Sequence, residues 1–312
     1  MESRDAEGIP ATMVVRVRVP ASIANFGPAF DAVALAVGLY NEITLEAAVR
    51  TEVRVQGEGA GVVPSDDTNL VYRAAAVVAA RTGGPQAFAL ACRNDIPIGR
   101  GLGSSAAAIV GGAVAANALA RIPLEPAALL ELAAGMEGHP DNVAAALFGG
   151  AVVLARHGPG WAWARLVPAW DVEYVVAVPE FAVATAQARS VLPDRVPMRD
   201  AAANVGRAGL LVAAMLTGRV ELLQPAMDDG LHQPYRAPLV PGMAEVFSAA
   251  RHAGAYGAAL SGSGPAIVAV CAPQLSESIG EAMVRAFAAA GHAARHLRLN
   301  ADLQGAIVVP ER

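Results

Sequence analysis

A glycine-rich stretch decides the fold of this chain, and it reads Pro97-Ile98-Gly99-Arg100-Gly101-Leu102-Gly103-Ser104-Ser105-Ala106-Ala107-Ala108. Its three glycines stand at alternate positions, and glycine allows backbone angles and close approaches that a Cβ prevents. Two serines follow, and then an alanine-rich run up to Ala120 that lacks proline and favours a helix. This order predicts a glycine loop at a helix N-terminus, where unpaired N–H groups and the helix dipole favour a phosphate. A tight glycine turn with a serine N-cap is the alternative interpretation.

Other phosphate-binding motifs do not match this stretch. A Walker loop requires a lysine before its Ser/Thr, and the chain contains no lysine. A dinucleotide fingerprint requires glycine at the place of Ser104, directly after a strand, and residues 93–97 are a poor strand. The catalytic motifs of protein kinases do not occur downstream. The string Pro-x3-Gly-Leu-Gly-Ser-Ser-Ala-Ala instead resembles the phosphate loop of the galactokinase, homoserine kinase, mevalonate kinase and phosphomevalonate kinase superfamily.

Length and composition limit the classes of protein to consider. The chain has 312 residues, of which 54% are hydrophobic and 16% charged, and this excludes extensive disorder. The uncharged span from Gly101 to Ala120 has the length of a membrane helix, but its Gly, Ser and Asn content disfavours insertion. A net charge of −5 without a basic run argues against a nucleic-acid partner. The charged N-terminus is unlike a secretory signal, and Cys92 and Cys271 are typical of reduced core residues. We therefore expect a cytoplasmic protein without a membrane partner.

Predicted helices and strands interleave along the chain, which indicates the α+β class with two layers in each domain. Residues 1–12 are predicted to be a flexible tail, and residues 13–168 and 169–312 an N-terminal and a C-terminal domain. The resemblance implies that the N-terminal domain is an ATP-binding kinase domain. Strand-like segments at 42–49 and 51–56 suggest a hairpin around Arg50. The resemblance implies an N-terminal domain like domain 2 of ribosomal protein S5, with a left-handed βαβ crossover, and a ferredoxin-like C-terminal domain. It thus implies the two-domain fold of the small-molecule kinases.

An amide and a carboxylate, Asn25 and Asp31, stand six residues apart on a segment broken by proline and glycine. Such loops often carry binding residues, although an Asx-turn is the alternative for Asn25. The segment resembles the homoserine kinase string Pro-x-Ser/Thr-x-Asn-Leu-Gly-Pro-Gly-Phe-Asp and departs from it at Ile23, Phe26 and Ala29. Because glycine permits angles that alanine resists, we expect Ala29 to alter the local shape of the loop.

Three polar side chains surround a proline in His139-Pro140-Asp141-Asn142. A surface turn is one interpretation, and a metal site would require a further ligand. Residues 138–150 are, however, similar to the His-x-Asp-Asn-Val-Ala segment of homoserine kinases. That resemblance also implies that Glu131, eight residues before His139, is the magnesium-holding carboxylate. The residue pattern alone predicts an ordinary solvated helix residue at that position.

Two arginines and a second glycine turn complete the set. The segment from Ala184 to Pro193, with Thr185 and Arg189, resembles the family pattern Thr-x-x-x-Arg-x-x-Leu-Pro. Arg236 lies in a segment like Glu/Gln-Pro-x-Arg. The planar arginine fork suits a carboxylate. The turn that contains Gly262 and Ser263 is either a hairpin loop or a backbone nest over phosphate, and it resembles the third motif of the superfamily.

Spacing alone predicts only a phosphate-binding enzyme with a polar pocket. The resemblance implies ATP-dependent, Mg²⁺-dependent phosphorylation of L-homoserine to O-phospho-L-homoserine in threonine biosynthesis. Alternatives are a mevalonate-type or sugar kinase and a catalytically dead ATP-binding regulatory protein. The resemblance does not decide whether a side chain acts as general base. A homodimer is one option for the assembly. The resemblance assigns ATP binding to residues 97–107, Asn69, Gly262 and Ser263, and Mg²⁺ binding to Ser105 and Glu131. It assigns catalysis to Glu131, Asp141 and Asn142. It assigns substrate binding to Asn25, Asp31, His139, Asp141, Thr185, Arg189 and Arg236.

Overall fold

The computed structural model describes residues 14–85 and 87–310. The predicted tail over residues 1–12 lies outside the described residues. The strands are β1 Val14–Asn25, β2 Ala29–Ala47, β3 Glu52–Gly57, β4 Phe88–Asn94, β5 Ala151–His157, β6 Gly160–Leu166, β7 Glu173–Pro179, β8 Gly257–Leu260, β9 Ile267–Cys271, β10 Ala294–Leu299 and β11 Ile307–Val309. The helices are α1 Leu70–Thr82, α2 Ser104–Ala118, α3 Pro126–Glu137, α4 Asp141–Phe148, α5 Thr185–Ser190, α6 Met198–Thr217, α7 Leu223–Ala226, α8 Gln233–Arg236, α9 Met243–His252 and α10 Ser276–Ala289.

The first sheet is built on the long hairpin of β1 and β2. Its strand order is β11-β1-β2-β4-β3, and β5 pairs with both β2 and β6. The predicted hairpin around Arg50 is wrong, because β3 pairs in parallel with β4 and never with β2. Burial explains this order: Phe88, Leu90 and Cys92 of β4 are buried, whereas β3 is half exposed. The more apolar strand takes the central position and the more polar one the edge.

The second sheet has the order β10-β7-β9-β8, with every pair antiparallel. One of its faces packs against α9 and α10, which contribute Val246 and Phe287. The other face, with Tyr174 and Val268, packs into the large core of the first sheet. The predicted α+β class is confirmed. The last strand, β11, pairs with β1, so the chain after residue 306 returns to the first sheet rather than staying with the second.

Helix α2 explains the uncharged span that follows the glycine stretch. Nine of its first thirteen residues are buried. A Cβ at Gly112 would lie 2.1 Å from the carbonyl oxygen of Val71, so small residues let α2 approach α1 closely. Among the described residues, no helix has both the length and the apolar character needed to cross a bilayer. The cytoplasmic location stays a prediction, while Cys92 and Cys271 are buried, free thiols as expected.

Candidate active site

A cavity of about 380 Å³ brings together the β1–β2 turn, the glycine loop, the turn that contains Gly262 and the start of α4. Most of the predicted site residues line it: Asn25, Asp31, Asn69, Ile98, Gly99, Arg100, Gly101, Gly103, Ser104, Ser105, His139, Asp141, Asn142, Thr185, Arg189, Arg236, Gly262 and Ser263. Pro97, Leu102, Ala106, Ala107 and Glu131 are not part of this lining. The sequence analysis missed other lining residues, namely Phe30, Asn41, Val63, Pro64, Thr68, Leu70, Val71, Cys92, Asn94, Ala108 and Glu137.

The glycine loop needs its glycines for two separate reasons. Gly99, Gly101 and Gly103 have φ values of 66°, 78° and 70°, in the left-handed region. A Cβ at Gly101 would lie 2.1 Å from the carbonyl oxygen of Ser261, and one at Gly103 would lie 2.1 Å from the Ser22 hydroxyl. The loop therefore packs directly on the third motif and on β1.

The start of α2 is open for an anion. Its N-cap is Gly103, and no side chain caps the helix, so the serine N-cap interpretation is wrong. The first-turn N–H groups accordingly remain for a ligand, as expected at a phosphate site. Leu102, Ala106 and Ala107 are fully buried, which makes them packing residues beneath the loop.

Arg100 lines the cavity, but its guanidinium is engaged elsewhere. Nε donates to the carbonyl oxygen of Pro179 at 2.9 Å and Nη1 to that of Ile98 at 2.9 Å. Nη2 donates to the carbonyl of Glu180. The side chain thus ties the glycine loop to the end of β7, which is a different task from the predicted contact with ATP.

The β1–β2 turn holds Asn25 and Asp31 in strained conformations. Both have positive φ, 72° and 55°, which non-glycine residues adopt at a cost. The Asn25 carboxamide accepts from Asp31 N–H at 3.0 Å and donates to the carbonyl oxygen of Gly262 at 2.9 Å. Asn25 therefore joins the β1–β2 turn to the turn that contains Gly262. Ala29 pairs with Asn25 inside β2 and lies outside the left-handed region, so the disturbance expected at Ala29 does not arise.

The charged end of the cavity contains two arginines that both lie over one aromatic ring. Arg189 forms a bidentate ion pair with Asp31, at 3.0 and 2.7 Å. Arg236 is 2% exposed and donates through Nε to Ala188 O and through Nη1 to Gly262 O. Their guanidinium carbons lie 5.4 and 5.2 Å from the centre of the Phe30 ring. Burial, and then the charge of Arg189, lowers the pKa of Arg236 to about 10.

A second cluster of charges lies where α3 meets α4. The Ser105 hydroxyl donates to Glu137 Oε1 at 2.5 Å, and His139 Nδ1 bonds to Asp141 Oδ1 at 2.8 Å. Burial raises the pKa of Glu137 despite the hydrogen bond from Ser105 and the charge of His139. Burial alone would lower the pKa of His139, but Asp141 and then Glu137 outweigh it and raise that pKa.

The predicted pairing of Ser105 with Glu131 does not occur in the structure, where Ser105 bonds to Glu137 instead. Glu131 is exposed, and its carboxylate lies beside Gly160 of the β5–β6 hairpin. Six residues separate Glu131 from Glu137 on α3, which turns their side chains by about 240° at about 100° per residue. Gly138, with φ 91°, ends α3 directly after Glu137 and turns the chain toward His139. The sequence signal for Glu137 was its place directly before Gly138 and His139, where a glycine ends the helix.

The other end of the cavity is mostly apolar and carries Asn69. Its carboxamide accepts from Val71 N–H at 2.9 Å and donates to Pro64 O at 2.8 Å. Asn69 is therefore the N-cap of α1 as well as a lining residue. Across the cavity, the Thr185 and Ser263 hydroxyls lie 3.5 Å apart and join α5 to the third motif.

A divalent metal would find few ligands in this cavity without a bound phosphate. In the part of the chain that the structure describes, no group of three or more His, Cys, Asp and Glu side chains is placed to hold a metal ion. Mg²⁺ in kinases is held by one or two carboxylates together with waters and substrate phosphates. The Glu137 carboxylate and the Ser105 hydroxyl, beside the glycine loop, fit a Mg²⁺ that arrives with a nucleotide.

Comparisons with known proteins cover nearly the whole chain. The family profile "GHMP kinases N terminal domain" matches residues 69–150, and "GHMP kinases C terminal" matches residues 211–290. A homoserine kinase of Moorella thermoacetica is 46% identical over 94% of this chain and 99% of its own length. One of Carboxydothermus hydrogenoformans is 44% identical over 94% and 96%. The crystal structure of a homoserine kinase from Cytophaga hutchinsonii has a TM-score of 0.86 and 30% identity, covering 99% of this chain and 100% of that one.

Proposed function

Because the chain belongs to the homoserine kinases, within the GHMP kinase family, we propose that it phosphorylates L-homoserine. The γ-phosphoryl group of ATP passes to the side-chain hydroxyl, and the products are O-phospho-L-homoserine and ADP. One observation carries the proposal: a single cavity joins a phosphate loop to an end that holds both carboxylates and guanidiniums. The product would serve threonine biosynthesis.

The charged end is complementary to an amino acid. Homoserine carries an ammonium and a carboxylate, and the cavity offers Asp31 and Asp141 for the first and Arg236 and Arg189 for the second. Arg236 is buried, so a neutral acceptor would leave its charge without a partner, which is costly. Galactose carries no charge and mevalonate no ammonium, so the site suits neither as well as homoserine.

Phosphoryl transfer depends mainly on positioning and charge neutralisation. The N–H groups of the glycine loop and of the first turn of α2 would hold the phosphates of ATP. Asp141 Oδ1 already accepts from His139 and from the Asn142 N–H at 2.8 Å, and this fixes the carboxylate so that Oδ2 orients the acceptor. Asn142 is fixed in turn by the Ser22 hydroxyl at 2.9 Å.

Glu137 and the Ser105 hydroxyl would hold Mg²⁺ together with phosphate oxygens, in place of the pair Ser105 and Glu131. When bound, Mg²⁺ neutralises the negative charge that builds on the transferring phosphoryl group. The buried Glu137 carboxyl has a raised pKa, and a cation beside it would favour its ionised form. Thr185 and His139 also line the cavity and would lie near the acceptor.

The test is a coupled assay of ADP release with ATP and four acceptors: L-homoserine, L-serine, mevalonate and galactose. We expect kcat/KM for L-serine to be about 10- to 200-fold below that for homoserine, since one methylene is missing. Mevalonate and galactose should be poorer still, and phosphorus NMR of the product should show a phosphate monoester on homoserine. Equal or better turnover of mevalonate or galactose would refute the proposed substrate.

A further inference from the structure

We propose that His232 is a positioning residue for Arg236. In its neutral form, with the proton on Nε2, it holds the guanidinium so that only Nη2 is left to meet the carboxylate of the acceptor. The proposal rests on the proposed function, because the carboxylate is that of the amino-acid substrate. His232 is fully buried behind the β1–β2 turn.

Both ring nitrogens of His232 have partners whose chemistry fixes the tautomer. Nε2 lies 2.7 Å from the carbonyl oxygen of Gly27, and a carbonyl only accepts, so Nε2 carries the proton. Nδ1 lies 3.2 Å from Arg236 Nη1, and a guanidinium only donates, so Nδ1 is the acceptor. The two neighbours independently assign the same neutral tautomer.

The surroundings of His232 keep the ring neutral and in place. The Phe30 ring lies against it, with centroids 5.3 Å apart. The Asp229 carboxylate is 3.6 Å from Nε2, but its oxygens already accept from Asn204 and from the backbone N–H groups of residues 231–233. A second proton would sit on Nδ1, where it would face the Arg236 cation. Burial lowers the pKa of His232, and the charge of Arg236 lowers it further.

The consequence appears at Arg236. Nη1 donates to His232 Nδ1 and to Gly262 O, and Nε donates to Ala188 O. A guanidinium has five N–H groups, and within the described part of the chain those bonds leave the two on Nη2. Since Arg236 lines the cavity, His232 decides which edge of the guanidinium faces the substrate. Arg236 would then bind one carboxylate oxygen rather than form the bidentate fork that the sequence suggests.

Two conservative variants separate the two ring nitrogens. Asparagine can place an oxygen near the position of Nδ1 and so keep the acceptor for Arg236, whereas glutamine can place an amide near Nε2 and keep only the donor to Gly27. We compare His232→Asn and His232→Gln with wild type on L-homoserine and on 3-amino-1-propanol, which lacks the carboxylate. The control is His252→Gln, an exposed histidine on α9.

For His232→Gln we expect KM for homoserine to rise about tenfold or more, because a hydrogen bond to a charged group is lost. KM for ATP and kcat/KM for 3-amino-1-propanol should change little, and His232→Asn should keep most of the preference for homoserine. Equal losses on both acceptors, or no loss of preference in either variant, would overturn the proposal. If wild type itself does not use homoserine, the proposed function fails first and this inference with it.

A measurement on wild type covers the case in which both variants misfold. Long-range proton–nitrogen correlation NMR of the enzyme labelled with ¹⁵N at histidine distinguishes the two neutral tautomers and the doubly protonated ring. We expect His232 to be neutral with the proton on Nε2 at neutral pH. A proton on Nδ1 would remove the acceptor of the Arg236 bond and refute the proposal.

Discussion

Glu137 and Glu131 lie on the same helix, and their substitution separates the resemblance-based assignment from the structure-based one. Glu137→Gln removes the carboxylate that accepts from Ser105 at 2.5 Å but keeps the size of the side chain. Glu131→Gln makes the same chemical change at an exposed position. If Glu137 neutralises charge on the transferring phosphoryl group, only the first change should reduce kcat strongly.

The size of the effect follows from burial. The Glu137 side chain is 9% exposed, so solvent screens its charge poorly. Loss of one pre-organised electrostatic contact of this kind typically lowers kcat about 10²- to 10³-fold, or about 3 to 4 kcal/mol in the barrier. An exposed charge contributes at most about 1 kcal/mol, so Glu131→Gln should stay within about fivefold of wild type.

The assay is steady-state ADP release at saturating ATP and homoserine over a range of Mg²⁺ concentrations. Thermal unfolding of each variant checks that the fold is intact. A Glu137→Gln enzyme within about fivefold of wild type in excess Mg²⁺ would refute the assignment. So would a hundredfold loss in Glu131→Gln, because that residue is exposed and is not part of the cavity lining.

Three further predictions concern the loop, the substrate and pH. Gly101→Ala should lower the free energy of unfolding by at least about 2 kcal/mol and remove most of the ATP affinity, because its Cβ would lie 2.1 Å from Ser261 O. Calorimetry should show unchanged ATP binding for the control variant Gly135→Ala. Unchanged ATP binding in both variants would refute the loop assignment. Arg236→Lys should lower kcat/KM for L-homoserine by an amount equivalent to about 2 to 5 kcal/mol, since an ammonium cannot reproduce the planar donors. The value of kcat/KM for 3-amino-1-propanol should change little. Equal losses on both acceptors would refute the carboxylate contact. Burial raises the pKa of Glu137 above its ordinary 4.5, so ionisation in the fold is penalised as the pH rises past that value. The Tm of the ligand-free Glu137→Gln protein should therefore rise relative to wild type as the pH increases above 4.5, and a constant difference would contradict this.

The sequence by itself determined the features that depend on local chemistry. Three alternate glycines before an alanine-rich run predict a phosphate loop at a helix N-terminus, and Gly99, Gly101 and Gly103 do adopt the left-handed angles that only glycine adopts readily. The α+β class followed from the periodicity of apolar residues, which each element carries within itself. The family resemblance was readable for the same reason, since its motifs are short strings of neighbouring residues.

Only the tertiary structure decided what depends on residues far apart in the chain. The order of strands around β4 is set by which strand buries more apolar surface, and a hairpin around Arg50 was therefore the wrong expectation. The choice between Glu131 and Glu137 depends on where α3 ends and which face of it meets Ser105, which no fixed spacing encodes. The role of His232 depends on Gly27, 205 residues away. Hydrogen-bond partners of this kind are chosen by packing, because a buried polar group must find its partner wherever the fold places one.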